Sequence, residues 1–439
     1  MDTGEGYLGM VESIYSSISS RTITQNSIEV DRSGLLLKGI EKMGWSGKAH
    51  LPAEKGIMVL SVGKGAVEML NGAVSAISGS GLDIEEKSMA ITPDPDGKES
   101  DHDVLVSDHP VPGERTERCS EELVRRLDNL EEGTSLLFLL SGGASSSIER
   151  PLGGLTMEHI SLITDRMLGG GYDIRELNTI RTRISGFKGG GLLNYIGDRP
   201  QASIVMSDVI GDDPRFIGSG PTHPWIPEIG EVKDTLDTVN LSSAFKEELL
   251  RIEKPRKRGV SNHPLVLVAN NMTAVRATYG ELVEMGHSPF GSERSYDGYA
   301  AETGKVLLGQ ARFYEKKTGT DSFVAGGETT VNVRGDGIGG RNTEMALSLV
   351  PHLKEGELVL CLTTDGKDGR SSAAGAAVRG DMFNMAGGIE EIRDSLRRSD
   401  SASLLDEVGA LIKTGPTGTN LGDLFIHLAS SEGPRRHRR

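Results

Sequence analysis

Three apolar runs, each stopped by a glycine or acidic turn, restrict the fold of this chain more than any other feature. In "TSLLFLLSGGASSSIE" (134–149) the run has no polar–apolar alternation, so both strand faces must be covered, as in a central strand of a parallel sheet. "KGIMVLSVGKGAVEMLNGAVSAI" (55–77) repeats the pattern of buried run, glycine turn and helix with apolar spacing. "QASIVMSDVIGDDP" (201–214) is a third buried run, ending in an acidic loop. Between them "CSEELVRRLDNL" (119–130) and "LTMEHISLITDRMLGGG" (155–171) read as amphipathic helices, the second stopped by glycines. Strand alternating with helix predicts a parallel α/β sheet.

A chain of 439 residues exceeds the usual size of one core, so two domains are expected. The first is placed at 1–250 and the second at 251–439, with a basic, proline-containing linker in "RIEKPRKRGVSNHP" (251–264). Beyond it "LVLVANNMTAVRATYGELVEMG" (265–286) restarts the strand–helix pattern; "TTVNVRGDGIGGRNTEMALSLV" (329–350), "LVLCLTTDGKDG" (358–369) and "IKTGPTGTNLGDLFIHL" (412–428) complete the second domain. The net charge of -15 argues against non-specific nucleic-acid binding, and the tail "GPRRHRR" reads as a solvated end. Cys119 and Cys361 make no disulfide framework, which suits a reducing cytoplasm. With no membrane-length apolar run and no signal-peptide core, neither a membrane nor an export route is expected. The oligomeric state stays open between monomer and homodimer.

The 58 glycines cluster in loops that follow strands, where backbone can approach a ligand. "SGGAS" offers Gly142, Gly143 and Ser145 at a strand's carboxyl end, either as an anion nest or as a plain strand-to-helix turn. Lys64 stands between glycines at a helix start and reads as a phosphate or carboxylate contact, against a surface lysine. Arg181, Arg183 and Lys188 in "NTIRTRISGFKGGG" are anion forks or a solvated cationic face. Asp208 either supports Mg²⁺ with substrate phosphates or caps a helix. Asp365 and Asp368 share the strand-end context, and His109 is a base or a structural loop histidine. In "TTVNVRGDGIGGRNTEMALSLV" (329–350), read as strand, turn and helix, Gly335, Gly337 and Gly340 match a dinucleotide fingerprint. The turn lacks the βαβ context that fingerprint requires, two short hairpin-spaced runs precede it, and a phosphate-handling turn is preferred over a tight turn that serves only the backbone.

In order along the chain, "DHPVPGE", "LLSGGAS", "LNTIRTRISGFKGG", "SDVIGDDPRFIGSGPT", "GGETTVNVRGDGIGGRNTEMAL", "TTDGKDGRSSAAGA" and "TGPTGTN" resemble the glycerate 2-kinase family. The resemblance implies a two-domain α/β architecture: an N-terminal Rossmann-like parallel sheet with helices on both faces, and a second α/β domain, called MOFRL. It implies ATP- and Mg²⁺-dependent phosphorylation of D-glycerate at its 2-hydroxyl. By that similarity Lys64 and Arg341 are the principal charged active-site residues, facing each other across a domain cleft. Asp208 then joins them as a catalytic group, with Asp208 and Asp365 as metal ligands. Gly142, Gly143, Ser145, Arg181, Lys188, Gly337 and Gly340 would bind substrate or phosphate. One departure is Ala144, where family members often have a third glycine; its methyl could narrow access to the loop backbone. Rival readings are an NAD(P)-dependent hydroxyacid dehydrogenase and a non-catalytic sugar-acid-binding protein.

Overall fold

A computed structural model describes residues 5–95, 99–255 and 263–430, so the basic tail and the middle of the expected linker lie outside the described residues. Two compact units divide the chain, one of residues 20–269, the other of 1–19 with 270–439.

The 20–269 unit opens with strands β1 (Ile28–Asp31), β2 (Gly34–Lys38) and β3 (Lys48–Pro52), an antiparallel trio that the sequence pattern did not disclose. Six further strands follow: β4 (Ile57–Val62), β5 (Met89–Thr92), β6 (Asp103–Val106), β7 (Ser135–Leu140), β8 (Gln201–Met206) and β9 (Leu265–Ala269). They form one sheet in the order β6-β5-β4-β7-β8-β9, and every pairing is parallel. Every residue of β4, β7 and β8 is buried, which is why these three runs carry no alternation. Helices Ala66–Ile77 and Glu114–Asp128 help to cover the sheet, and Met58, Leu60, Phe138 and Leu123 share its apolar core. A satellite of helices, Met157–Gly169, Ile174–Ile184, Ile229–Thr238 and Ser243–Arg251, encloses a second apolar cluster around Ile163, Ile180 and Leu236.

Because β9 pairs with β8, the run at 265–269 closes the first sheet instead of opening the second domain. The division expected at 250 and 251 therefore falls between Ala269 and Asn270. The chain lays β4, β5 and β6 outward in one direction and β7, β8 and β9 in the other. The order thus reverses between β4 and β7, the point at which open α/β sheets bind ligands.

In the other unit, β10 (Pro289–Gly291), β11 (Ser322–Gly327), β12 (Leu358–Thr363), β13 (Gly375–Arg379), β14 (Leu411–Ile412) and β15 (Asp423–Leu428) make a mixed sheet ordered β10-β11-β15-β12-β13-β14. Only β10 and β11 run parallel. Phe323, Val359, Cys361 and Phe425 lie in its core with Met345 and Leu349 of helix Arg341–Leu349. The strand expected at 329–334 does not form: after β11 the chain is irregular apart from a bridge between Thr330 and Tyr299, and no hairpin is built. Cys119 and Cys361 are free and buried. No described helix is long and apolar enough to cross a membrane.

Candidate functional site

At the reversal point the loops after β4 and β7 are latched together. The Lys64 amide donates to the Gly142 carbonyl at 2.8 Å, and the Gly65 amide donates to Ser141 Oγ at 3.0 Å. Gly63 allows this approach: it has φ of 121°, and a Cβ there would lie 2.4 Å from Ser141 Oγ. Gly143 adopts a left-handed φ of 83°, and a Cβ on it would come within 3.1 Å of Lys64 Cγ and 3.6 Å of His109 Cε1. The stem of Lys64 and the ring of His109 therefore both lie against Gly143. His109 Nδ1 meets Ser146 Oγ at 2.8 Å. Its position after β6, in "SDHPVP", was the available signal for a histidine that the sequence alone leaves between base and loop.

Below the serine loop is a buried charge cluster. Lys188, 1% exposed, pairs with Glu149 at 3.2 Å and donates through Nζ to the carbonyls of Ser145 at 2.6 Å and Ile148 at 3.1 Å. This differs from the expected direct phosphate contact: the ammonium props the loop from beneath. Burial lowers its pKa, with Glu149 opposing. Arg181 is also buried, and burial brings its pKa down to about 10 against the pull of Glu149. Neither residue forms the solvated face that helical spacing allowed. Ser145 Oγ accepts from Ser219 Oγ at 3.0 Å. The methyl of Ala144 is buried in the apolar core, within reach of Gly218, so it leaves the loop's outer backbone unobstructed.

Asp208 follows β8 in a turn held by the Val209 amide, which donates to Ser207 Oγ at 3.2 Å; no helix begins there for it to cap. The neighbouring carboxylates are engaged, Asp212 with Lys42 at 2.5 Å and Asp213 with Arg215 at 2.5 Å.

The second unit answers the glycine fingerprint. Arg341 opens its helix, and its fork is turned onto Asp423: Nε donates at 2.6 Å and Nη2 at 2.9 Å, while Nη1 reaches Glu328 at 3.1 Å. Asp423 is fully buried. The bidentate grip expected for substrate is thus spent within the protein. The helix N-terminus is occupied too. Asp368 accepts from the amides of Asn342 at 3.0 Å and Thr343 at 2.8 Å, and from Thr343 Oγ1 at 2.9 Å. A Cβ on Gly340 would lie 2.4 Å from Asp368 Cγ, and one on Gly337 would lie 2.5 Å from Asp400 Cβ. Gly340 makes room for a carboxylate and Gly337 for the Cβ and backbone of Asp400; they do not present amides to a phosphate. They nevertheless line a cavity of about 390 Å³ together with Glu328, Arg341, Glu344 and Arg370. Burial, then Glu302, pushes the Glu344 carboxyl up to about 7 despite Arg334. Asp365 Oδ1 accepts from Thr363 Oγ1 at 2.9 Å and from the Lys367 amide at 3.1 Å, which fixes its carboxylate after β12.

No group of three or more His, Cys, Asp or Glu residues is arranged for a metal among the described residues. A Mg²⁺ ion held by one carboxylate together with waters and nucleotide phosphates needs no such cage, and Asp208 and Asp365 fit that mode.

Comparison with known proteins places this geometry. Residues 10–252 match a domain of unknown function, DUF4147, and residues 322–423 match the MOFRL family. A D-glycerate 2-kinase of Thermotoga maritima is 33% identical over 383 residues, covering 85% of this chain and 90% of that protein. A relative in Agrobacterium vitis that carries a hydroxypyruvate reductase name is 31% identical over 333 residues, 73% of this chain and 76% of its own. The crystal structure of a glycerate kinase (EC 2.7.1.31) from Thermotoga maritima superposes with a TM-score of 0.74 at 28% identity, covering 96% of this chain and 98% of that one.

Proposed function

The chain belongs to the glycerate 2-kinase family, and from that premise we propose that it transfers the γ-phosphoryl group of ATP to the 2-hydroxyl of D-glycerate, giving 2-phosphoglycerate and ADP. The observation that carries this reading is the latch between the loops after β4 and β7, which holds Lys64 beside Gly142 and Gly143 at the reversal point of the sheet. Phosphoryl transfer asks little covalent chemistry of a protein; it asks for alignment and for positive charge against the moving group. Lys64 would supply that charge, and the left-handed Gly143 opens the loop backbone to phosphate oxygens. Lys188 and Glu149 act indirectly, by holding the serine loop in shape. In the second unit the 390 Å³ cavity suits a three-carbon acid, with Arg370 available to its carboxylate. Asp208 of one unit, or Asp365 of the other, would hold the Mg²⁺ that accompanies the nucleotide and screens its phosphate charge.

The dehydrogenase reading has two points in its favour: the strand order is shared with dinucleotide-binding sheets, and two relatives in Agrobacterium vitis carry a reductase name. Against it, the turn after β4 carries a lysine in "VGKGA", and the helix amides behind "GDGIGG" are taken by Asp368. Incubation with D-glycerate and ATP–Mg²⁺, followed by phosphorus NMR, tests the proposal. 2-Phosphoglycerate is expected, and 3-phosphoglycerate would overturn the regiochemistry alone. Thermal stabilisation by NADH but not by ATP–Mg²⁺ would favour the reductase, and saturable glycerate binding without ADP release a sensor.

A further inference from the structure

Most buried carboxylates of the second unit have cationic or amide partners: Asp423 holds Arg341, Asp368 caps the helix, and Glu357 pairs with Arg312 at 2.6 Å. Glu344 is different. It is part-buried on the first turn of helix Arg341–Leu349, and it makes no hydrogen bond or ion pair with any described residue. Glu344 lines the 390 Å³ cavity and also one of about 340 Å³ lined by Glu302, Arg334 and Arg397. Arg341, one turn back on the same face, cannot neutralise it because that guanidinium is engaged by Asp423 and Glu328. A partly desolvated carboxylate left without a donor in a cavity is costly unless something that enters the cavity supplies one.

We infer that Glu344 is the base that accepts the proton of the hydroxyl undergoing phosphorylation, an assignment that rests on the kinase reading. The proton passes from the substrate oxygen to a Glu344 carboxylate oxygen. The substrate oxygen forms the new bond to the γ-phosphorus, the bond from phosphorus to the β,γ-bridging oxygen breaks, and ADP leaves with the electron pair. The proton is then released to solvent. The charges around Glu344 set when it can act. Burial, Glu302 from helix Ala300–Thr318 and Asp368 from the loop after β12 favour the protonated form, and Arg334 favours the carboxylate; Glu328, Arg341, Arg370 and Arg397 line the same cavities. The balance is a carboxyl that titrates at about 7, suited to exchanging protons near neutrality.

The test is the pH dependence of kcat/KM for wild type, Glu344→Gln and Glu344→Asp, with thermal stability measured alongside. Only the ionised base accepts a proton, so the wild-type rate should rise with pH through an apparent pKa of about 7 and then level. Glu344→Gln should lose about 10²-fold in kcat at an unchanged Tm, and the acidic limb should vanish. Glu344→Asp should recover part of the rate and keep the limb, which also carries the test if the Gln variant fails to fold. A Gln variant within threefold of wild type with its limb intact overturns the assignment, as does a loss confined to KM for glycerate. A wild type that forms no phosphoglycerate overturns the kinase reading and this assignment with it, so the two failures are distinguishable.

Discussion

Two glycine-rich turns in this chain look alike as letters and work in opposite ways. In "SGGAS" after β7, Gly143 takes a left-handed φ of 83° and turns its backbone outward beside Lys64 and His109. In "GDGIGG" before Arg341, neither Gly337 nor Gly340 has a positive φ; each is small because the protein packs where a side chain would be, the Asp368 carboxylate at Gly340 and the Cβ of Asp400 at Gly337. The first turn leaves its backbone exposed to a ligand, whereas the amides behind the second are already filled by Asp368. A glycine motif therefore reports that something must come close, and only the neighbours tell whether it is a ligand or the protein itself.

The largest expected effect separates the turns by activity. Lys64→Ala should cut kcat/KM by about 10² to 10³, because a charge aimed at the transferring group is lost, with Tm unchanged. Near wild-type turnover would remove Lys64 from the site. Stability should separate them the other way. Gly340→Ala places a methyl 2.4 Å from Asp368 Cγ and should cost about 3 kcal/mol in chemical denaturation. Gly143→Ala meets the flexible stem of Lys64 at 3.1 Å and the His109 ring at an ordinary contact distance of 3.6 Å, so its cost is the left-handed backbone, about 1 kcal/mol. If the two alanine variants lost equal stability, the contrast would fail.

The sheet of the first unit was legible because period and burial are local properties. Continuous apolar runs at 57–62, 135–140 and 201–206 became three fully buried parallel strands. The membership of Leu265–Ala269 was not legible, since a strand beyond a presumed linker gives no sign of which sheet it will join. The same holds for partners distant in sequence. Nothing in "RTRISGFKGGG" shows that Lys188 will lie beneath the serine loop against Glu149, because that needs the crossing of two loops separated by a helical pair. Arg341 was found through resemblance, but its partner Asp423 lies 82 positions away and belongs to another strand. Glu344 escaped notice because an acid on an amphipathic helix looks like any solvated acid until its cavity is seen.

A smaller effect is expected where the fork of Arg341 is altered. Arg341→Lys keeps the charge but can replace only one of the two bonds to Asp423, a fully buried carboxylate. The expected cost is about 2 kcal/mol of stability, measured by denaturant titration, because a buried charge is left partly unpaired. If stability held while kcat/KM collapsed, the guanidinium would be acting on substrate directly and its contact with Asp423 would be incidental. Asp423→Asn distinguishes the cases again: it should reproduce the stability loss without removing the cation.

The smallest effect concerns Asp208, where the first unit's acidic loop offers a different kind of contrast. Asp212 and Asp213 carry adjacent charges, yet each is matched by Lys42 or Arg215, so removing either should alter only local pairing. Asp208 sits closer to the end of β8, in a turn where no helix begins for it to cap. If it supports Mg²⁺, Asp208→Asn keeps shape and hydrogen bonding but removes one negative charge from the ion's surroundings. The Mg²⁺ concentration for half-maximal rate should then rise about tenfold, equivalent to about 1.4 kcal/mol. Asp213→Asn serves as the control, because its carboxylate already belongs to Arg215 and its metal requirement should not move. Equal shifts in both variants would mean that the loop attracts the ion through diffuse charge, whereas no shift in Asp208→Asn would assign the carboxylate work to Asp365.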